Sequence, residues 1–353
     1  TANITGDKGR MKVLIYGGSP EGCYLAARLA QVGHGVTLAG AGKAAPGGEL
    51  KLRGRQGKLE TAQGVEYVAD AHEALANGGY DWIALALPAY ETAAAGQVLA
   101  QHLRQPVPVV TFQRGTGHAA TLQTILGHED VIAGAVTAVV ARSGADTVEV
   151  VREGGICLGG SAPSTGRVRD ALASTSVEVV HLPDVATLEW SKLFVDLIGN
   201  ALSAILDEPP REVFRDYRLF DVEWAALNEA LWMLERRGIT LVDLPGAPAH
   251  KLARRVRRLP RQLVRLLLIR KVSNQPSSLL QELRSGEGQT EAAWLNGAVV
   301  FAAHTLDYLA PINHALALSV SDIAAGRMPW EMFRHNPDMV LRAIRMVQGK
   351  LPA

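Results

Sequence analysis

The sequence predicts an α/β fold in which an N-terminal Rossmann-like parallel-sheet domain is followed by an all-helical C-terminal domain. Between residues 11 and about 182, short apolar runs alternate with helical stretches, and after residue 183 long helical patterns dominate. A glycine-rich segment, residues 17–22, directly follows the first apolar run and opens a helix. Continuous apolar strands separated by helices are typical of a parallel sheet covered on both faces.

The length of 353 residues favours two domains, because it exceeds what one typical core accommodates. We predict a dinucleotide-binding domain over residues 11–183 and a helical substrate or dimerisation domain over residues 184–353. Residues 1–10 are polar and precede a methionine that opens a strand. We interpret them as an expression tag or a disordered leader.

Each predicted element follows from its local pattern. In the first domain the apolar runs that predict strands are 11–16, 35–39, 82–87, 107–112, 131–141 and 147–153, and a helix is predicted over 22–32. In the second domain, apolar residues at helical spacing predict helices over 185–206, 219–237, 250–269, from 279 onward, 289–309, 311–323 and 328–348.

Composition excludes several classes of protein. A hydrophobic content of 48% with 20% charged residues is ordinary for a globular protein, and the net charge of +1 gives no global case for nucleic acid as the main partner. The two cysteines, Cys23 and Cys157, form no disulfide framework and fit a reducing cytosol. With no signal-peptide or membrane-spanning pattern, we expect a cytoplasmic protein.

The segment from Gly17 to Gly22 predicts nucleotide binding. In the dinucleotide pattern G-x-G-x-x-G, the first glycine allows a tight turn, the second lets the backbone approach pyrophosphate, and the third packs helix on strand. Here the first and third positions are glycines and Ser19 occupies the second. The candidate cofactor residues of this loop are Gly17, Gly18, Ser19, Pro20, Glu21 and Gly22. The alternative is a tight strand–helix turn that binds no nucleotide.

The stretch after the second predicted strand favours NADP over NAD. An acidic residue there would bind the ribose hydroxyls of NAD, and none occurs between residues 35 and 48. Instead Lys43 and Arg53 follow, and their positive charge suits a 2′-phosphate. The alternative is that these basic side chains are simply solvated.

Lys192, Asp196 and Asn200 form a polar line in an otherwise apolar stretch. A spacing of i, i+4 and i+8 would stack the three side chains along one face of a single helix. The alternative is a surface lysine–aspartate pair worth about 0.3–0.5 kcal/mol. Together with a nucleotide loop, the line indicates one wall of an active-site cleft.

Three blocks in order resemble the ketopantoate reductase (2-dehydropantoate 2-reductase) family. The first is the nucleotide loop within MKVLIYGGSPEGCYLAARL, and the second is the segment Trp190-Ser-Lys192-Leu. The third is Pro276-Ser-Ser-Leu-Leu-Gln-Glu282, followed by Thr290-Glu291-Ala-Ala-Trp-Leu-Asn-Gly297. The resemblance covers residues 11 to about 323 and implies a reductase that acts on a 2-keto acid with NADPH.

The resemblance also implies roles for particular residues. Lys192 would be the general acid that protonates the carbonyl oxygen, and Glu291 would bind the substrate and support the lysine. The remaining candidates for substrate binding are Asp196, Asn200, Gln275 and Ser278, and those for cofactor binding are Leu87, Gln113 and Arg114. A lysine ammonium beside a forming alkoxide is chemically suited to this role, since it stabilises the developing charge and can transfer a proton.

Several positions depart from the family pattern. Asp196 stands where an asparagine is usual, and Arg114 stands where the family reads asparagine. Pro88 and Ala41 replace a lysine and an arginine, and the interval from Ser278 to Glu291 is one residue longer. Asp196 should favour the charged lysine and repel a substrate carboxylate. We hypothesise a compensating change in which Arg114 binds an anion or Asp196, with a substrate other than ketopantoate.

The basic stretch 251–271 and the histidines give weaker indications of function. Residues 251–271 carry nine lysines or arginines, which we interpret as a solvated or interface face, with membrane, nucleic-acid or cofactor-phosphate contact as alternatives. The histidines lack paired-ligand spacing, so no metal is expected. Three rival functions remain: an imine-reducing or opine-type dehydrogenase, a non-catalytic NADP-binding regulator, and a nucleic-acid adaptor whose functional face is the basic helix. A small-molecule carbonyl substrate, no nucleic acid, no membrane and a homodimer complete the expected partners.

Overall fold

The structure is a computed structural model that describes residues 9–40, 49–54, 57–144 and 146–348. The chain divides into two compact units. Unit 1 comprises the residues up to Gln113, residues 117–189 and Leu244–Ala247, and unit 2 comprises Arg114–Thr116, Trp190–Asp243 and the residues from Pro248 onward. The division falls inside a helix between Glu189 and Trp190, and the domain boundary near residue 183 stays a prediction.

Unit 1 contains an eight-stranded sheet. Its strands are β1 (Lys12–Tyr16), β2 (Gly35–Ala39), β5 (Val65–Val68), β6 (Trp82–Leu85), β7 (Val109–Thr111), β8 (Val131–Val136), β11 (Ile156–Gly159) and β12 (Val179–Leu182). The strand order is β12-β11-β8-β7-β6-β1-β2-β5. All neighbouring strands run parallel except β11 and β8, which pair antiparallel.

Helices cover both faces of this sheet, as the continuous apolar strands predict. The helices of unit 1 are α1 (Pro20–Gln31), α2 (Ala71–Asn77), α3 (Thr92–His102), α4 (His118–Leu126) and α5 (Thr165–Ala173), with a 3-10 turn at Ala89–Glu91. Val13 and Ile15 of β1 lie in one core cluster with Leu25 of α1, whereas Leu14 lies in another with Leu99 of α3. The alternating sides of one strand thus supply two cores.

A second sheet, which the sequence analysis did not anticipate, packs against α1. Its strands are β3 (Leu50–Arg53), β4 (Leu59–Ala62), β9 (Val139–Arg142) and β10 (Thr147–Arg152), in the order β4-β3-β10-β9. Leu52 of β3 and Val148 of β10 belong to the same core cluster as Leu25. The run 131–141, predicted as one strand, is therefore two strands in two different sheets.

Unit 2 is helical, as predicted, but several predicted helices are broken. The elements after residue 184 are α6 (Val185–Asp196), α7 (Asn200–Leu206), α8 (Pro210–Val213), α9 (Tyr217–Arg236), β13 (Asp243–Leu244), β14 (Ala247–Pro248), α10 (Ala249–Arg258), α11 (Arg261–Lys271), α12 (Ser278–Ser285), α13 (Asn296–His304), α14 (Pro311–Ala324) and α15 (Pro337–Gln348), with 3-10 turns at Glu291–Ala293 and Trp330–Met332. Pro260 separates α10 from α11, because proline cannot donate the helical hydrogen bond. No helix among the described residues is long and apolar enough to cross a membrane.

Candidate active site

Only glycine fits at positions 17 and 22, the first residue after β1 and a residue in the first turn of α1. Gly17 has φ +124°, and a Cβ there would lie 2.4 Å from the carbonyl oxygen of Ala86 and 2.8 Å from the amide nitrogen of Leu87. A Cβ on Gly22 would lie 2.3 Å from the carbonyl oxygen of Gly17. The backbone therefore forms a tight cradle beside β6, and the predicted cofactor residue Leu87 borders it.

Helix α1 begins with residues that fix its N-terminus. Ser19 is the N-cap, and its Oγ accepts a hydrogen bond of 3.1 Å from the amide of Gly22. Pro20 occupies the first helical turn, where its missing N–H costs no helical hydrogen bond. A loop of close-packed glycines that runs into a capped helix is the fitting arrangement for a dinucleotide, so the residues present fit the predicted cofactor.

The surroundings of two predicted cofactor residues outside the loop, Gln113 and Arg53, do not test their roles. The side chain of Gln113 is buried, and its amide donates to the carbonyl oxygen of Pro88 at 3.1 Å and accepts from Thr111 at 3.0 Å. Arg53 ends β3 on the exposed side of the second sheet. Lys43 lies outside the described residues, as does Ala41. The roles of Gln113, Arg53 and Lys43 in cofactor binding stay predictions.

Lys192 and Asp196 form a close ion pair near the end of α6. The Lys192 Nζ lies 2.6 Å from both carboxylate oxygens of Asp196. The two side chains are 18% and 17% exposed, which is much less than a pair on the open surface would be. A weak surface salt bridge therefore does not describe this pair, since partial burial strengthens its electrostatic attraction.

The prediction of a single helix over 185–206 is wrong, because the helix is interrupted between Asp196 and Asn200. Gly199, the N-cap residue of α7, adopts the left-handed conformation with φ +65°. The amide of Gly199 donates to Glu223 Oε1 at 2.7 Å. Asp196 and Asn200 therefore do not stack along one helix, although they remain in contact.

Asn200 links α6 to α12. Its Nδ2 donates to the carbonyl oxygen of Asp196 and to Ser278 Oγ, at 3.0 Å each, and its Oδ1 accepts from the amide of Leu279 at 3.1 Å. Ser277, the N-cap of α12, donates its Oγ hydrogen to the carbonyl oxygen of Asn200. The structure therefore brings Lys192, Asp196, Asn200 and Ser278 into one hydrogen-bonded network.

Glu291 follows the other end of α12 and is bound to that helix through Glu282. The carboxylate of Glu282 accepts from the amide of Glu291 at 2.8 Å and from Thr290 Oγ1 at 2.9 Å. Ser278 and Glu282 are four residues apart, so they share one face of α12. Glu291 is 5% exposed and forms an ion pair of 3.3 Å with Arg114. The partly buried Asp196 and the buried Glu291 therefore each have their own cation.

The sequence analysis did not anticipate that Arg114 pairs with Glu291. It proposed that Arg114 binds Asp196 or an anion. Gln275, the remaining predicted substrate residue, is exposed just before α12, where its backbone N–H donates to Ser273 Oγ at 2.8 Å. The assignments of Arg114 to the cofactor and of Gln275 to the substrate stay predictions.

Two carboxyl groups near these elements have raised pKa values. Glu189, at the end of unit 1, accepts the amide of Gly117 at 3.0 Å, and burial raises its pKa to about 7 although part of the side chain stays exposed. Glu223 is 2% exposed, and burial raises its pKa to about 8. In both cases low local polarity disfavours the charged carboxylate.

Sequence reasoning missed Glu223 and Glu282 as supports of the site, and also Arg142. Glu282 carried a signal, since it ends the family-like block that begins at Pro276. Glu223 carried none, because an acid in the middle of an amphipathic helix resembles a solvated residue. Arg142 sits on a strand of the unanticipated second sheet, and its Nη2 donates to the carbonyl oxygen of Gly18 at 2.7 Å.

The basic stretch 251–271 is largely an exposed face with scattered partners. Leu252, Val256, Val264 and Leu268 are buried, which leaves the basic residues on the other sides of α10 and α11. Arg257 pairs with Glu235 at 2.8 Å and Arg261 with Asp221 at 3.1 Å. In the described part of the chain, no group of three or more metal-ligating side chains occurs.

The fold of unit 1 and the polar network of unit 2 define a dinucleotide-dependent oxidoreductase, and comparison with known proteins gives its family. The family model described as "Ketopantoate reductase PanE/ApbA" matches residues 13–162, and the model of its C-terminal domain matches residues 184–324. The two models together cover most of the chain. The protein therefore belongs to the ketopantoate reductase family, as the three sequence blocks indicated.

Individual relatives agree with this placement. A 2-dehydropantoate 2-reductase from Halobacterium salinarum is 25% identical over 249 residues, which are 67% of this chain and 74% of that protein. A solved ketopantoate reductase of the PanE/ApbA family from Ralstonia eutropha is similar in fold, with a TM-score of 0.73, 24% identity, and coverage of 90% of this chain and 99% of that chain.

A third similar structure is D-mandelate dehydrogenase in complex with NADH and anilino(oxo)acetate. Its TM-score is 0.70 at 17% identity, and the match covers 90% of this chain and 99% of that one. The prediction of an NADP-dependent oxidoreductase acting on CH–OH groups is thus confirmed by family membership. The comparisons favour this enzyme class over the opine-type and regulatory alternatives.

Proposed function

We propose that the protein reduces the ketone of a small 2-keto acid with NADPH, and that Lys192 is the general acid. The observation that carries the proposal is the network in which the ammonium of Lys192 is fixed by Asp196, beside Asn200 and Ser278. A lysine that is 18% exposed and donates to both oxygens of a neighbouring carboxylate is positioned rather than freely rotating.

The chain's own residues account for proton transfer and substrate binding. When bound, NADPH supplies the hydride that is added to the carbonyl carbon. Lys192 Nζ donates a proton to the carbonyl oxygen, and the neutral amine then regains a proton from solvent. The hydroxyl group of Ser278 donates a hydrogen bond to a substrate oxygen. Asn200 Nδ2 holds this hydroxyl group in place by donating to Ser278 Oγ.

The two ion pairs remove the objection that Asp196 would repel a 2-keto acid. Lys192 neutralises Asp196, and Arg114 neutralises Glu291, so the four groups carry no net charge. A substrate carboxylate therefore meets no net negative charge from these two pairs, and the carboxylate of Glu282 is already bound by the amide of Glu291 and by Thr290. The arrangement favours a keto acid whose carboxylate shares Lys192 or Arg114 with the protein carboxylates.

The test is NADPH oxidation across a panel of 2-keto acids that includes ketopantoate. We expect turnover with at least one member, and Lys192→Ala should lower kcat about 10²- to 10⁴-fold because the proton donor is lost. Lys251→Ala is the matched control, since Lys251 pairs with Asp243 on an exposed surface. Absence of turnover with every keto acid, or full activity of Lys192→Ala, would contradict the proposal.

The same proposal includes a homodimer in the cytosol. A dimeric ketopantoate reductase from Staphylococcus aureus shares the fold at a TM-score of 0.68 and 14% identity. In unit 2, Phe301 is 73% exposed, a high value for a phenylalanine that is not covered by a partner. Both cysteines are free and buried, as suits a reducing compartment. Sedimentation equilibrium should give twice the monomer mass, and a monomer would contradict this part.

A further inference from the structure

We propose that Arg142 binds the pyrophosphate of the dinucleotide cofactor. The inference rests on the proposed NADPH dependence and adds a cofactor ligand that lies outside the glycine loop. Arg142 ends β9 of the second sheet, which packs against α1. Its Nη2 lies 2.7 Å from the carbonyl oxygen of Gly18 and 3.2 Å from Cys23 Sγ, so its guanidinium stands at the start of α1.

The N-terminus of α1 needs an additional cation. A helix N-terminus binds phosphate through free backbone N–H groups and its positive dipole end. Here Pro20 has no N–H, and the amide of Gly22 donates to Ser19 Oγ. Glu21 adds an acidic side chain in the first turn. This loop therefore offers a diphosphate fewer donors and less positive charge than the usual pattern.

Arg142 has the charge and geometry that this loop lacks. Both of its contacts with the described residues use Nη2, and neither partner is a carboxylate. Its positive charge is therefore not neutralised by an ion pair among those residues. The Nε and Nη1 hydrogens take no part in these two contacts, so each can donate to a phosphate oxygen, and the permanent charge of the guanidinium is one reason why arginine is common at phosphate sites.

The position of Arg142 favours the pyrophosphate over the 2′-phosphate. Gly18 and Cys23 belong to the glycine loop and the first turns of α1, where the pyrophosphate of a dinucleotide binds. A 2′-phosphate would lie instead at the carboxyl end of β2, after Ala39. Arg142 should therefore contribute equally to the binding of NADPH and NADH.

The test measures dissociation constants by the fluorescence of the bound nicotinamide, without any turnover. Arg142→Ala should weaken both NADPH and NADH about tenfold to a hundredfold, since one charged hydrogen-bonding partner of the phosphates is lost. Competition by ADP, which carries a pyrophosphate, should weaken by the same factor, whereas competition by adenosine, which carries no phosphate, should be unaffected. Arg169→Ala is the control, because Arg169 is an exposed arginine of the same unit that pairs with Asp170.

A second variant separates charge from loop structure. Arg142→Gln keeps a donor for the carbonyl oxygen of Gly18 and removes the charge, so it should bind the cofactors as weakly as Arg142→Ala. Normal binding by Arg142→Gln, or a loss restricted to NADPH, would overturn the inference. So would unchanged binding by Arg142→Ala. Failure of the wild-type protein to bind NADPH would instead overturn the proposed function itself.

Discussion

The glycine loop of unit 1 and the polar network of unit 2 are built on opposite principles. The loop depends on missing side chains, because any Cβ on Gly17 or Gly22 would lie within 2.5 Å of a backbone carbonyl oxygen. The network depends on particular side chains, because Asn200 alone makes hydrogen bonds to Asp196, Ser278 and Leu279. Gly17 and Gly22 should therefore tolerate no substitution, whereas the network should weaken step by step.

The largest effect is expected from Gly17→Ala. The new methyl group would meet the carbonyl oxygen of Ala86 at 2.4 Å in a backbone conformation that L-residues rarely adopt. Displacing the loop should weaken NADPH binding about 100-fold or more, measured by nicotinamide fluorescence. Gly35→Ala is the control, since its Cβ would meet nothing closer than 3.8 Å. Wild-type affinity in Gly17→Ala would remove the proposed basis of the loop.

A smaller effect is expected from Asn200→Ala. The substitution frees Ser278 Oγ and leaves the amide of Leu279 without its acceptor, so KM for the keto acid should rise about tenfold. The dissociation constant of NADPH should not change. Asn228→Ala, which removes a single hydrogen bond to the carbonyl oxygen of Trp224, serves as the control. An unchanged KM with a lower melting temperature would show that Asn200 has only a structural role.

The smallest effect on activity, with a distinct effect on stability, is expected from Glu223→Gln. Burial raises the pKa of Glu223 from 4.5 in the unfolded chain to about 8 in the folded protein. Between pH 4.5 and about 8 the folded state therefore binds more protons than the unfolded state. The contribution of Glu223 to the free energy of unfolding is complete below pH 4.5 and is lost as pH rises towards 8. The glutamine variant lacks this loss.

Denaturant unfolding of both proteins between pH 5.5 and 7.5 tests this directly. The free energy of unfolding of Glu223→Gln should rise relative to wild type by at most about 1.4 kcal/mol per pH unit. Glu235→Gln, on the exposed side of the same helix, should show no such divergence. Parallel curves for wild type and Glu223→Gln would contradict the assigned pKa.

The same contrast explains what the sequence revealed. The strand–loop–helix of residues 11–32 was predictable because its hydrophobic run, glycines and cap are local. The second sheet was not, because β3 pairs with β10 across nearly a hundred residues and its strands are short and half exposed. Lys192 and Glu291 could be singled out from motifs. The bond from Asn200 to Ser278 spans 78 residues, and no local pattern indicates it.

The loop that follows α12 has a consequence for how the family pattern can vary in length. Gly286 and Gly288 both take positive φ values in the segment 286–289, which joins the helix to Thr290. An added residue in this segment lengthens the interval from Ser278 to Glu291 without rotating Ser278 and Glu282 apart. An added residue within α12 would turn them by about 100°. The chain can therefore carry a longer spacing while Ser278 and Glu282 keep their alignment on α12.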